Sequence, residues 1–166
     1  MKFDIRIDDR EVQLAFNRLI QAGEDLSPAM RAIGEHMVNT TRERFRDEKA
    51  PDGTPWAPLS EVTLKRKKRN VDKILTERGY LSGTIAYREG PDFVEIGSSR
   101  IYASTHQFGA AKGEFGGVRT SLPGRSFFQP IPWGDIPARP FLGVSDEDSA
   151  AIADAVLDHI DQAFST

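Results

Sequence analysis

Residues 27–47, SPAMRAIGEHMVNTTRERFRD, predict the long helix on which the rest of the fold depends. Ser27 followed by Pro28 is a typical helix start, because serine caps the first turn and proline fits the first helical position. Apolar residues then recur every three or four positions, and the charged residues fall on the opposite side. The helix therefore has one side to bury, formed by Met30, Ile33, Met37, Val38, Thr41 and Phe45.

A second amphipathic helix ends the chain. Ser145 is its expected N-cap, and three acidic residues follow in the first turn, where the helix dipole favours anions. The segment from Ser145 to Thr166 has six acidic residues and neither Lys nor Arg, so its exposed side is acidic. The side expected to be buried consists of Ile152, Val156, Ile160, Ala163 and Phe164.

Strand patterns precede and separate these helices. Residues 2–7 alternate apolar and charged side chains, as a half-buried strand does. Residues 84–88 and 93–97 predict a hairpin, because the Glu-Gly-Pro-Asp sequence between them has turn composition. The predicted fold class is α+β: a small, mainly antiparallel sheet packed by the long N-terminal-half helix and the C-terminal helix, in a single domain over residues 1–166.

Three shorter helices are also expected. The first begins at about Asp8 and ends at Gly23, and the second is capped by Ser60 and runs into a group of basic residues. The third covers residues 101–108 and stops at Gly109, since glycine commonly ends a helix.

Two segments lack a regular pattern. Residues 50–60 hold three prolines and a glycine, and Trp56 is expected to pin this loop by burying its ring. Residues 109–137 contain six glycines, four prolines and four aromatic residues. Because plain linkers are poor in aromatic residues, we expect residues 109–137 to form an extended loop or arm that orders against a partner.

Composition excludes several classes of protein. The 166 residues include no cysteine, so disulfides, thiolate metal sites and cysteine nucleophiles are absent. Apolar runs are only a few residues long, well short of the ~20 that a membrane helix needs. The N-terminus lacks a signal-peptide pattern. We therefore expect a protein of the reducing cytoplasm that does not enter a membrane.

No motif predicts catalysis. His36, His106 and His159 lie far apart in sequence and lack the spacing of metal ligands. The stretch from Gly109 to Gly113 lacks the spacing of a phosphate-binding loop. No serine lies in a nucleophile-elbow sequence. A structural or solvated role is favoured for each histidine, with a general base as the alternative for His106. The sequence predicts no catalytic residue, no metal site and no cofactor.

Charge is divided into two blocks, an acidic C-terminal helix and the basic run, which is Lys65-Arg66-Lys67-Lys68-Arg69. The basic run is open to three interpretations: a solvated surface, a site that neutralises nucleic-acid phosphates, or a contact with the acidic helix of another copy. No recognition-helix or RNA-binding signature accompanies it. Nucleic-acid binding through residues 65–69 is therefore the alternative function rather than the leading one.

Several short motifs, none of which is a chemical signature alone, follow one another along the chain. They are PDGTPWAPLS (51–60), TLKRK (63–67), KIL (73–75), GYL (79–81), VEIGS (94–98), YA (102–103), HQFG (106–109) and IPARPFLG (136–143). In order and spacing they resemble the phage virion morphogenesis (tail completion) family of tailed bacteriophages, which includes Mu-like phages and prophages. The resemblance covers nearly the whole chain, but residues 110–134 do not follow the family pattern.

The resemblance implies a non-enzymatic virion assembly protein that completes the tail or joins the tail to the head at the neck. It also implies a ring of copies, six-fold like a phage tail, with other neck, tail or head-connector proteins as partners. The expected location is the host cytoplasm during assembly and then the neck or tail end of the virion. Non-specific contact with phage DNA is left open.

Candidate contact residues follow from the charge pattern and from the Pro-Ala-Arg-Pro motif at 137–140. The two prolines fix an extended backbone, which favours a structural role for the motif, and the alternative is that its arginine bridges subunits. The candidate contacts between subunits or with a partner are Lys65, Arg66, Lys67, Lys68, Arg69, Arg139, Asp154, Asp158 and Asp161.

Overall fold

The computed structural model describes residues 23–114, 117–122, 125–130 and 135–165, together with residues 14, 17, 18, 20 and 21. The described residues between 14 and 24 are helical, in agreement with the first predicted helix. The strand predicted over residues 2–7 lies outside the described residues.

The remaining elements have defined bounds. The helices are α1 (Ser27–Asp47), α2 (Glu61–Arg66), α3 (Tyr80–Gly83), α4 (Ala103–Phe108) and α5 (Asp146–Ser165). The strands are β1 (Ile85–Glu89), β2 (Val94–Ser98), β3 (Gly117–Leu122) and β4 (Arg125–Pro130). The α+β class is confirmed, and so are the long helix, the β1–β2 hairpin, the short helix before Gly109 and the C-terminal helix.

The segment predicted to be an extended loop or arm, residues 109–137, is more regular than its composition suggests. Strands β3 and β4 pair antiparallel within it, with Gly117 opposite Pro130 and Leu122 opposite Arg125. The expectation of an irregular backbone is corrected for these two strands. That residues 109–137 become ordered against a partner stays a prediction.

The chain forms two compact units. The first unit contains residues up to Met37, residues 87–96 and the chain from Asp146 onward, and the second unit contains residues 38–86 and 97–145. The single domain spanning residues 1–166 stays a prediction.

In the first unit, α1 packs closely on the β1–β2 hairpin and on α5. Gly34 lies against the Tyr87 ring so tightly that a Cβ atom there would come within 2.2 Å of a ring carbon. Residue 34 must therefore lack a side chain. His36 Nε2 lies 3.0 Å from Asp148 Oδ1, and this carboxylate is only 1% exposed. The pair joins the middle of α1 to the first turn of α5.

The start of α1 differs slightly from its prediction. Ser27 is already helical, and its backbone N–H donates to the Asp25 carboxylate at 2.9 Å. The Ser27 hydroxyl, and after it this backbone N–H, lowers the pKa of Asp25 by donating to its carboxylate. The capping side chain is therefore an aspartate two residues before the serine that the sequence favoured.

The core of the second unit is aromatic. Phe45 of α1 contacts Trp56 edge-on, with ring centroids 5.4 Å apart, and Phe141 at 5.2 Å. Phe141 is 0% exposed and Trp56 is 5% exposed. Trp56 therefore pins the loop of residues 50–60, as predicted, and the buried side of α1 is the one that the helical spacing indicated.

Candidate functional site

Residues 137–143, the clamped segment, are fixed to the rest of the second unit by side chains from several parts of the chain. Arg44 of α1 donates two hydrogen bonds to carbonyl oxygens of this segment, at 3.1 and 2.8 Å. Trp56 Nε1 donates to the carbonyl of Pro140 at 2.7 Å. The motifs at 51–60 and 136–143, far apart in sequence, are therefore in direct contact.

The HQFG motif contacts the clamped segment from another side. Gln107 Oε1 accepts from the backbone N–H groups of Phe141 and Leu142, both at 3.0 Å, and its Nε2 donates to the Leu142 carbonyl at 2.8 Å. The backbone N–H of Arg139 also donates to the His106 carbonyl. One side-chain amide thus supplies the hydrogen bonds that a neighbouring strand would supply, and buried backbone groups need such partners.

Arg139, a candidate contact residue, is 6% exposed. Its Nε donates to the carbonyl of Ala57 and its Nη2 to that of Pro58, both at 2.8 Å. Burial lowers the pKa of this guanidinium from its ordinary value. These two hydrogen bonds act within the chain and tie the clamped segment to the 50–60 loop. A contact of Arg139 with another subunit stays a prediction.

Lys67 divides the basic run into two parts with different environments. Its ammonium donates to the carbonyl oxygens of Asn70, at 2.6 Å, of Lys73, and of Thr76, at 2.9 Å. Helix α2, capped by the Ser60 hydroxyl as predicted, ends at Arg66, so the rest of the basic run lies beyond it. Lys67 therefore stabilises the loop that follows the helix.

That loop, residues 67–79, is fixed in an unusual backbone conformation. Leu75 has φ +53°, a left-handed value that is uncommon for a residue with a branched side chain. Just before it, the N–H of Ile74 donates to the Glu48 carboxylate at 2.7 Å. Strained backbone persists only where surrounding contacts hold it, and Lys67 and Glu48 provide such contacts.

A groove of about 1120 Å³ lies in the second unit between α2, the 67–79 loop, α3 and α4. Val62 and Tyr80, 58% and 52% exposed, give it apolar surface. The Arg100 guanidinium lies 5.2 Å from the centre of the Tyr80 ring. The charged side chains that line the groove are mainly cationic. The cations are Arg66, Lys67, Arg78 and Arg139, and the anions are Glu77 and Asp135. The groove is thus shaped to take an acidic group with an apolar part.

The other cations of the basic run lie on the surface. Within the described part of the chain, Lys65 makes one ion pair, at a long 3.9 Å from Glu61, and both side chains are at least 80% exposed. Lys68 and Arg69 are exposed. Exposed pairs of this kind contribute about 0–1 kcal/mol, so these charges are of little use to the fold.

The acidic candidates lie on α5 in the first unit. Asp154, Asp158 and Asp161 are exposed, while Ile152, Val156 and Ile160 on the other side of the helix are half-buried. The structure places the basic and the acidic candidates in different units, and pairing between copies stays a prediction.

His106, the histidine for which the sequence left a general base as the alternative role, contacts the Tyr102 ring edge-on and lines the groove. Its Nδ1 is buried and has no hydrogen-bond partner among the described residues. Burial, with a smaller contribution from the Arg139 charge, lowers the pKa of His106. The imidazole is therefore neutral near pH 7.

The described residues contain neither a membrane-spanning helix nor a metal-binding cluster. No helix there is long and apolar enough to span a bilayer. Within the same ranges, no group of three or more His, Asp or Glu side chains is arranged to hold a metal ion.

Comparison with known proteins identifies the family. The chain is 28% identical over 155 residues to the tail completion protein S of Escherichia phage P2, covering 88% of this chain and 95% of that one. It is also 28% identical over 168 residues to the putative capsid assembly protein G of Escherichia phage Mu, covering 99% and 97%. A Mu-like prophage FluMu G protein 2 of Haemophilus influenzae is 28% identical over 150 residues, covering 90% of this chain and 89% of that protein.

No solved structure matches the chain. The profile of the phage virion morphogenesis family matches residues 7–161, which include the clamped segment and every motif that contacts it. The chain belongs to the phage virion morphogenesis family.

Proposed function

We propose that this protein acts without enzymatic activity in phage virion assembly, completing the tail or joining the tail to the head at the neck. The observation that carries the proposal is the family match over residues 7–161, together with relatives named for tail completion and capsid assembly. The second unit supports it, because Trp56, Gln107 and Arg139 of its motifs are used for hydrogen bonds within the chain.

The protein acts as a ring-forming subunit, with the six-fold symmetry of a phage tail. A closed ring built from one kind of contact needs two different complementary surfaces on each copy. The exposed cations of the basic run, on the second unit, and the acidic side of α5, on the first, are such a pair by charge. Other virion proteins of the neck, tail or head connector are the partners of the completed ring.

Deleting the gene in the phage or prophage that encodes the protein tests this function. Electron microscopy of the resulting lysate should show heads and tails that are unjoined or unfinished, and the infectious titre should fall by orders of magnitude. Expression of the wild-type chain in trans should restore joined particles. A deletion that releases normal, infectious virions would contradict the proposed function.

A further inference from the structure

We propose that the groove of the second unit receives the outer side of α5 from a neighbouring copy, with Leu157 as the apolar anchor. The inference rests on the proposed ring and specifies the contact that builds it. It also moves the centre of the basic surface from the run of residues 65–69 to the groove beside it.

The outer side of α5 has the chemistry of a ligand. Leu157 is 58% exposed although it lies in the middle of a regular helix. Asp154 and Asp158 lie three residues before it and one residue after it, and both are exposed. Ala150 and Ala153, also exposed, lie on the same side at helical spacing, so the helix backbone can approach another surface closely. The result is one large apolar side chain among carboxylates.

The groove offers the complementary chemistry. Val62 and Tyr80 are both more than half exposed and lie along its walls, where an aliphatic side chain would cover them. Arg66 and Arg78 line the same space and can pair with carboxylates on either side of that side chain. The hydrogen bond with the Tyr80 phenol raises the pKa of Arg78, and a guanidinium is cationic at physiological pH in any case. This arrangement is typical of a groove that binds an amphipathic helix.

The groove wall is already formed before binding. Lys67 holds the 67–79 loop through three carbonyl oxygens, and this loop contributes Leu75 and Arg78 to the lining. A preformed wall avoids the cost of ordering a loop during association. Lys67 therefore has a positioning role, whereas Arg66 and Arg78 make the contact itself.

Two charge-reversed variants test the pairing. In one, Arg66→Glu and Arg78→Glu reverse the groove; in the other, Asp154→Lys and Asp158→Lys reverse the helix. Sedimentation velocity compares each variant with the wild type at a concentration where the wild type self-associates. If the wild type does so only with its virion neighbours present, they are added to every sample. Neither variant should self-associate under these conditions. An equimolar mixture should assemble again, because the reversed groove of one variant then meets the reversed helix of the other. The two native surfaces that remain complement each other in the same way. Leu157→Ala alone should weaken association by about tenfold.

The matched control for the helix variant is Glu43→Lys with Asp92→Lys, which makes the same change in net charge on exposed residues elsewhere and should leave association unchanged. If the mixture of reversed variants fails to assemble while each variant melts like the wild type, the pairing is wrong. The same conclusion follows if the groove variant loses DNA binding in a salt titration and the helix variant does not, since the groove would then bind phosphates.

Cross-linking separates this inference from the proposed function. The chain has no cysteine, so Val62→Cys with Leu157→Cys introduces the only thiols. In cells that are assembling particles, a short bismaleimide should convert this double variant into a ladder of multimers. Glu95→Cys with Leu157→Cys, the control, should give none. A double variant that restores infectious titre in the deletion strain but forms no multimers would overturn the groove contact and leave the assembly function standing.

Discussion

The clamped segment makes many hydrogen bonds and the basic run carries many charges. The hydrogen bonds of the clamped segment lie within the chain, whereas most charges of the basic run face solvent. Around the clamped segment, Arg44 and Arg139 are buried and donate to backbone carbonyl oxygens of the same chain. In the basic run, Lys65 and Lys68 extend into solvent. The motifs at 51–60 and 136–143 therefore hold the fold together, whereas the charges left on the surface are available to partners.

The largest expected effect is on assembly. Arg66→Glu, Lys68→Glu and Arg69→Glu together reverse three exposed cations of the basic run, including the one that lines the groove, and spare Lys67. Particle assembly should be blocked, while the free energy of unfolding changes by only about 0.5 kcal/mol because the three side chains are exposed. Titre and thermal melting measure the two quantities.

A compensating reversal sharpens this test. Changing Asp154, Asp158 and Asp161 to Lys in the same chain should partly restore assembly, because the signs of both surfaces are then exchanged. A contact of the basic run with DNA predicts no such rescue. Wild-type particle yield from the triple Glu variant would show that the basic run is merely solvated.

The next effect is on stability and concerns the clamped segment. Phe141→Ala removes a ring that is 0% exposed and contacts Phe45. It should lower the free energy of unfolding by about 3–5 kcal/mol through lost burial and the cavity left behind. Phe108→Ala is the matched control, because Phe108 is 79% exposed and should cost little. Urea denaturation compares the two, and equal losses would mean that the clamped segment is not the core.

Lys67 and Lys68 allow a comparison within the basic run itself. Lys67→Met removes the donor to three loop carbonyl oxygens and should cost about 1 kcal/mol. Amide exchange should accelerate in residues 70–77. Lys68→Met removes the same charge from an exposed position and should leave exchange there unchanged. Identical exchange in the two variants would refute the loop-holding role of Lys67.

The smallest effect is a dependence of stability on pH. The folded pKa of His106 is lowered by burial, so the unfolded chain takes up a proton first as the pH falls through the ordinary histidine value of about 6.5. The contribution of neutral His106 to stability is therefore present above that value and lost below it. His106→Gln should flatten this part of the curve of melting temperature against pH. An unchanged slope below pH ~6.5 would rule out His106 as its source.

The helices and the first hairpin could be predicted because their signals are local. Helical spacing in α1, the Ser60 cap of α2 and the acidic first turn of α5 all lie within a few residues of the structure they specify. Strands β3 and β4 were missed because glycine and proline dominate their neighbourhood. The signal for a strand was present in the sequence, since Val118, Thr120 and Leu122 stand at every second position. They precede Pro123-Gly124, a dipeptide typical of turns.

The candidate site was only partly predictable, because its hydrogen bonds join distant parts of the chain. Arg44 looks like another surface arginine of α1, and only the fold places it beside a segment 97 residues away. Lys67 is indistinguishable from Lys68 in sequence, since the carbonyl oxygens that it contacts belong to the backbone. The pairing of His36 with Asp148, 112 residues apart, likewise has no local signal.

In the proposed ring, many copies of one chain meet through unlike surfaces at the neck or tail end. Cryo-electron microscopy of virions, with symmetry determined at the neck and at the tail end, measures this most directly. The predicted result is a closed six-fold ring of this chain in which α5 of each copy lies in the groove of the next. A single asymmetric copy per particle, or a ring whose copies meet through identical surfaces, would contradict it.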